Sequence, residues 1–191
     1  MLENVMFSKK KFFLIFCLVL FFSNTSASEK QKVIQNLKNI NTIKFQFEQN
    51  INGKIENGIC SLSYPKKIYC KYNLKNNKIL VSNGRSLVIK TSNSYYLYPI
   101  EKTSLNFILD KKFILEKIAS IKERIVDDKF INFNFLADEN EISIFFDRKT
   151  YNLIGWQTFD LYQNLSITYL FSIIKNPIIN DNIFKLPEQN N

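Results

Sequence analysis

From Thr42 onward the chain repeats short runs in which apolar and polar residues alternate, and this period of two constrains the fold more than any other feature. Ile43, Phe45 and Phe47 alternate with Lys44, Gln46 and Glu48. That rhythm puts one face of a strand in a core and the other in water. Asn52-Gly53 and Asn57-Gly58 read as turns. Cys60, Leu62 and Tyr64 then share a face until Pro65-Lys66 breaks the run, and Ile68, Cys70 and Tyr72 resume it. After a polar stretch from Asn73 to Asn77 come Ile79-Leu80-Val81, a hairpin at Asn83-Gly84, and Leu87-Val88-Ile89. Tyr95 to Tyr98 forms a further aromatic strand.

The rhythm lapses in two places. Between Glu29 and Ile40 the apolar residues Val33, Leu37 and Ile40 fall at helical spacing. Between Leu105 and Ile125 they recur at three- and four-residue intervals, which predicts two short helices divided near Asp110-Lys111. Strands return with Ile131, Phe133 and Phe135; Ile142, Ile144 and Phe146; Ile154, Trp156 and Thr158; and Ile167, Tyr169, Phe171 and Ile173. A last segment, Phe184 to Leu186, ends at Pro187. With 18 Phe and 9 Tyr against 4 Gly and 4 Pro, the composition suits strands. About ten strands joined by short turns make one large antiparallel sheet, which curls toward a barrel or half-barrel that the helices plug or cap. The class is mainly β (α+β), with no internal repeat and no linker.

The first residues have the three parts of an export signal. Lys9, Lys10 and Lys11 precede an uncharged apolar run from Phe12 to Phe22, and small residues lead to Ala27. The run is about half of the ~20 residues a spanning helix needs, so a cleaved signal is expected rather than an anchor. Residues 1–27 form the signal and 28–191 a single domain. Processing leaves a net charge of +7 from the +9 of the whole chain. The basic residues are scattered, without the contiguous basic face that nucleic-acid binding requires. Histidine is absent, which removes histidine-dependent triads and most zinc sites. Asp138, Glu139 and Glu141 lie in a turn, where charge is simply solvated. No enzyme, metal or cofactor is expected.

Cys60 and Cys70 are left after processing, in a compartment where disulfides persist. Pairing them also pairs Leu62 with Ile68 around a three-residue loop and sets the two thiols opposite each other on one sheet face. A structural disulfide is therefore expected, the alternatives being two unpaired buried cysteines and, more remotely, a redox-catalytic pair. The strands also carry many large apolar residues on faces opposite polar ones. In a small sandwich these are plain core, the reading the pattern by itself favours. In a wide half-barrel they line a cavity for an apolar ligand.

The order of these features resembles the outer-membrane lipoprotein carrier protein family, the LolA chaperones of Gram-negative bacteria. The matching residues are Phe45-Gln46-Phe47-Glu48-Gln49, Gly58 through Tyr64-Pro65-Lys66-Lys67-Ile68, and Ile79-Leu80-Val81-Ser82-Asn83-Gly84 with Leu87-Val88-Ile89. The helical middle from Thr103-Ser104-Leu105 also fits. So do Leu153-Ile154-Gly155-Trp156, Asp160, Thr168, Asn176, Ile183-Phe184 and Pro187. The resemblance spans about residues 28–190 and lies in the order of the motifs.

It implies an incomplete antiparallel barrel with a helical lid over a hydrophobic cavity, in a periplasmic carrier. Such a carrier takes lipoprotein acyl chains from an inner-membrane lipoprotein-releasing ABC transporter to an outer-membrane acceptor, as a monomer and without covalent chemistry. The acyl-chain site would comprise Phe45, Phe47, Leu62, Tyr64, Ile68, Tyr72, Trp156 and Tyr169, with Leu105, Ile108 and Leu109 on the lid. Many carriers place an Arg before the proline that begins the third strand. Here Tyr64 stands there, so a phenolic hydrogen bond or packing would replace a charged latch. The alternative function on the same fold is an envelope-stress or lipid-sensing interaction protein.

Overall fold

The structure is a computed structural model that describes residues 27–138, 140–160 and 163–189. The export signal therefore lies outside the described residues, except for Ala27. Helix α1 (Glu29–Lys38) starts with a capping box: the Gln31 amide donates to Ser28 Oγ at 3.2 Å, and the Ser28 amide donates to Gln31 Oε1 at 3.1 Å. Each contact satisfies an amide that the first turn leaves without a helical partner.

Eleven strands follow: β1 (Thr42–Ile51), β2 (Lys54–Ser63), β3 (Lys67–Tyr72), β4 (Ile79–Asn83), β5 (Ser86–Lys90), β6 (Tyr95–Pro99), β7 (Arg124–Val126), β8 (Phe130–Ala137), β9 (Asn140–Asp147), β10 (Leu153–Phe159) and β11 (Leu165–Lys175). They form one antiparallel sheet in the order β6-β5-β4-β3-β2-β1-β11-β10-β9-β8-β7. The chain thus lays down one half of the sheet, crosses through its helices, and builds the other half back to pair β11 with β1. The sheet is curved and unclosed, as expected from the strand count.

Between β6 and β7 run a 3₁₀ turn (Ile100–Lys102), α2 (Leu105–Ile108) and α3 (Lys111–Ser120). Asp110 caps α3, its carboxylate accepting from the Phe113 amide at 3.1 Å. Helix α1 packs on α3. Val33 and Leu37 from one helix and Ile114 and Ile118 from the other are buried in a core shared with Phe133, Ile144 and Phe146 of the sheet.

Three expectations change. Asn57-Gly58 is no turn but lies inside β2. A Cβ on Gly58 would sit 2.2 Å from the Lys71 carbonyl oxygen and 2.9 Å from the Phe47 ring, so the glycine marks a close approach of chains. The real hairpin is Asn52-Gly53, where both residues take positive φ (48° and 85°), as a two-residue turn of this kind requires. Strand β7 begins where the helical spacing seemed to run on to Ile125. The last apolar segment is a 3₁₀ turn (Asp181–Phe184) folded against β3 and β4.

Candidate functional site

A cavity of about 380 Å³ opens on the concave face of the sheet. One bank is apolar: Phe45 and Phe47 of β1, Ile68 and Tyr72 of β3, Leu80 of β4, Leu87 and Ile89 of β5, and Trp156 of β10. The rings brace each other edge to face, Phe45 on Trp156 at 6.4 Å and Phe47 on Tyr72 at 5.0 Å between centroids. Cys60 and Cys70 also line this bank. They face each other across β2 and β3 in the expected register, Leu62 against Ile68, and are joined as a disulfide.

Further along the same strands the lining turns polar. Gln49 continues the inward parity of Phe45 and Phe47, and Thr158, Ser166 and Thr168 face it from β10 and β11. Gln49 Nε2 donates to Ser166 Oγ at 3.1 Å and to Thr168 Oγ1 at 3.3 Å, while its Oε1 accepts from the Tyr72 hydroxyl at 3.4 Å. Behind Gln49, paired with it across the ladder, lies the buried Glu56. Its carboxylate is held by Lys54 at 2.8 Å and by Lys78. Burial pushes this carboxyl up, but the hydrogen bonds from Lys54 and Lys78 outweigh it and hold the group below the usual range. The Lys78 ammonium also sits 4.2 Å from the centre of the Tyr72 ring. Burial, and secondarily the charge of Glu56, raise the Tyr72 phenol.

The segment from the 3₁₀ turn to α2 covers one side of the cavity, which Lys102, Thr103, Ser104 and Leu105 line. It is tied at both ends. Ser104 Oγ donates to the Phe159 carbonyl at 2.9 Å. At the other end the Lys66 amide donates to the Leu109 carbonyl at 2.8 Å, and Lys66 Nζ lies 3.4 Å from Asp110.

Of the residues expected to bind acyl chains, Phe45, Phe47, Ile68, Tyr72, Leu105 and Trp156 line the cavity. Leu62, Ile108 and Leu109 are buried in the core cluster and do not line it. Tyr64, before a cis proline, packs against the core as well. Its hydroxyl has no hydrogen-bond partner among the described residues, and burial raises its pKa. Packing, not a phenolic hydrogen bond, therefore occupies the position where many carriers have an arginine. The ties there come from its neighbour Lys66.

Tyr169 is the clear correction. It faces outward and is 51 % exposed, whereas Ser166, Thr168 and Leu170 are buried. A bulge explains this. The β1–β11 register slips between Lys44 and Gln46, opposite Ser172, which has positive φ. One extra residue reverses the parity of a strand. Ile173 points to the core, and the rest of the alternating series Ile167, Tyr169 and Phe171 points away.

Among the described residues no group of His, Cys, Asp and Glu side chains is arranged to hold a metal ion. No described helix is long and apolar enough to cross a membrane.

The chain is an open antiparallel half-barrel with a cavity apolar on one bank and a short helical cover. The sequence model of the family described as outer membrane lipoprotein carrier protein LolA matches residues 38–187, and the chain belongs to that family. No curated protein matches the chain. The chain is similar to several solved structures at low identity. A LolA superfamily protein from Nitrosomonas europaea is 7% identical over 84% of this chain and 99% of its own, with a TM-score of 0.42. An outer membrane lipoprotein-sorting protein domain from Vibrio parahaemolyticus is 6% identical over 81% and 95%, with a TM-score of 0.43. The Mycobacterium tuberculosis lipoprotein LppX is 10% identical over 79% and 95%, with a TM-score of 0.42. Membership rests on the family's sequence model and not on these distant likenesses.

Proposed function

We propose that this chain is a periplasmic carrier that shields lipoprotein acyl chains between the inner and the outer membrane. The observation that carries the reading is the cavity itself: a roughly 380 Å³ space whose one bank is built from Phe45, Phe47, Ile68, Leu80, Leu87 and Trp156. Each CH₂ withdrawn from water contributes about 0.8 kcal/mol, so an acyl chain gains most of its binding free energy from such a wall alone. The donor would be an inner-membrane lipoprotein-releasing ABC transporter and the recipient an outer-membrane acceptor. No covalent step is needed, because the ligand is held and released by burial.

Depletion of the protein in its own cell tests the reading. Lipoproteins are expected to accumulate in the inner membrane. Unchanged sorting after full depletion, measured by membrane fractionation, would overturn it.

A further inference from the structure

Along the strands the inner face changes character within two residues. On β1, Phe45 and Phe47 give way to Gln49, and on the neighbouring β11 the inward positions are Ser166 and Thr168. These two hydroxyl residues are buried, as is Thr158 on β10, which pairs with Ser166. Thr158 Oγ1 donates to the Phe159 carbonyl at 3.4 Å, so of the three hydroxyls it is Ser166 and Thr168 whose protons have no taker among the described residues.

The hydrogen bonding of this bank has a direction. Both Gln49 N–H donors are committed, one to Ser166 Oγ and one to Thr168 Oγ1, while its oxygen accepts from Tyr72. Within the described residues those two oxygens serve only as acceptors. A hydroxyl carries one proton to donate as well as lone pairs to accept. Ser166 and Thr168 therefore each keep a donor for a group inside the cavity, and that group must be an acceptor.

We infer that the polar bank recognises the carbonyl oxygen through which an acyl chain is attached, an ester or an amide, with the chain running from there over Phe47 and Phe45. This rests on the carrier reading and adds to it the chemistry of the ligand's polar end and the direction in which it lies. The ligand is an acylated head group that enters the cavity as far as its carbonyl. The same carbonyl occurs in the acylated end of a lipoprotein and in a free acylglycerol.

The full processed chain should be titrated with 1-palmitoylglycerol and 1-hexadecylglycerol. These probes have the same number of chain carbons and the same head, and differ in the ester carbonyl. The ester is expected to bind about fivefold more tightly, the worth of one hydrogen bond of ordinary strength. Thr168→Val together with Ser166→Ala should remove that advantage. Because the wild-type comparison needs no variant, a folding failure in the double variant leaves the test intact. Equal affinity for ester and ether in the wild type overturns the inference while leaving the carrier reading standing. Failure of both probes and of a diacylglyceryl-cysteine peptide to bind overturns the carrier reading with it. Set against diacylglycerol, tighter capture of that peptide assigns the carbonyl to a lipoprotein, and the reverse assigns it to a free lipid. Either result supports the inference where the double variant weakens the capture.

Discussion

Gly58 is approached by its neighbours more closely than either turn glycine, Gly53 or Gly84. Any side chain there must displace the Lys71 carbonyl, which would lie 2.2 Å from a new Cβ, and that atom belongs to a ladder that cannot give way. Gly58→Ala is expected to cost at least the ~1–3 kcal/mol usual for overpacking, measured by urea unfolding. Glu56 offers a different test. Its folded-state pKa lies below the ordinary value of 4.5. A depressed carboxyl contributes stability above its unfolded pKa and loses it as pH falls through the lower folded value. Acid titration of stability should therefore steepen below the ordinary carboxyl range, and Glu56→Gln should flatten that slope. The variant should also cost about 1–3 kcal/mol at neutral pH, because Lys54 and Lys78 lose their shared partner. An acid slope unchanged by the variant would show that Lys54 and Lys78 do not set the carboxyl's behaviour.

At the scale of elements, the disulfide ties β2 to β3 across ten residues of sequence. The loop is short, so reduction is expected to remove stability near the lower end of the usual ~2–4 kcal/mol, read as a drop in Tm with reductant. The pairing of Cys60 with Cys70 was legible in the sequence because alternation and turn length together fix a hairpin's register. Most strands were legible for the same reason, and so was the apolar bank on β1 and β3. Gln49 was within reach too, since it shares the parity of Phe45 and Phe47. What could not be read was β11. Its alternating apolar residues Ile167, Tyr169, Phe171 and Ile173 look like one inward face. A bulge at Ser172, which carries no glycine or proline to announce it, turns three of the four outward. The inward Ser166 and Thr168 of the polar bank were hidden for that reason. The burial of Ile108 and Leu109 was likewise hidden, because helical spacing shows an apolar face but not what the face meets.

On the scale of the whole molecule, the sheet is covered on both sides in places. Phe184 of the C-terminal turn is buried on the convex side together with Val81 and Val88, apart from the main core. Lys67 fastens that turn by gripping Asp181 at 2.8 and 2.9 Å. Phe184→Ala should cost near the low end of the ~3–5 kcal/mol typical of such truncations, without altering affinity for an acyl ligand. A loss of affinity equal to that of a cavity variant would show that the two faces are coupled.

The unjoined margins of the sheet, β6 at one end and β7 at the other, bear on how the protein tolerates ligands of different bulk. In a closed barrel the girth is fixed by a ring of ladder hydrogen bonds, and enlarging it means breaking some of them. Here, among the described residues, no strand pairing spans the gap. Among the described residues the one strand ladder between the two halves is the β1–β11 seam, as the spine joins the leaves of a book, and parting the free margins breaks no pairing. A bulkier guest must then shift the cover, held by Ser104 to Phe159, by Lys66 to Leu109 and Asp110, and by the buried Ile108 and Leu109, rather than widen a closed wall.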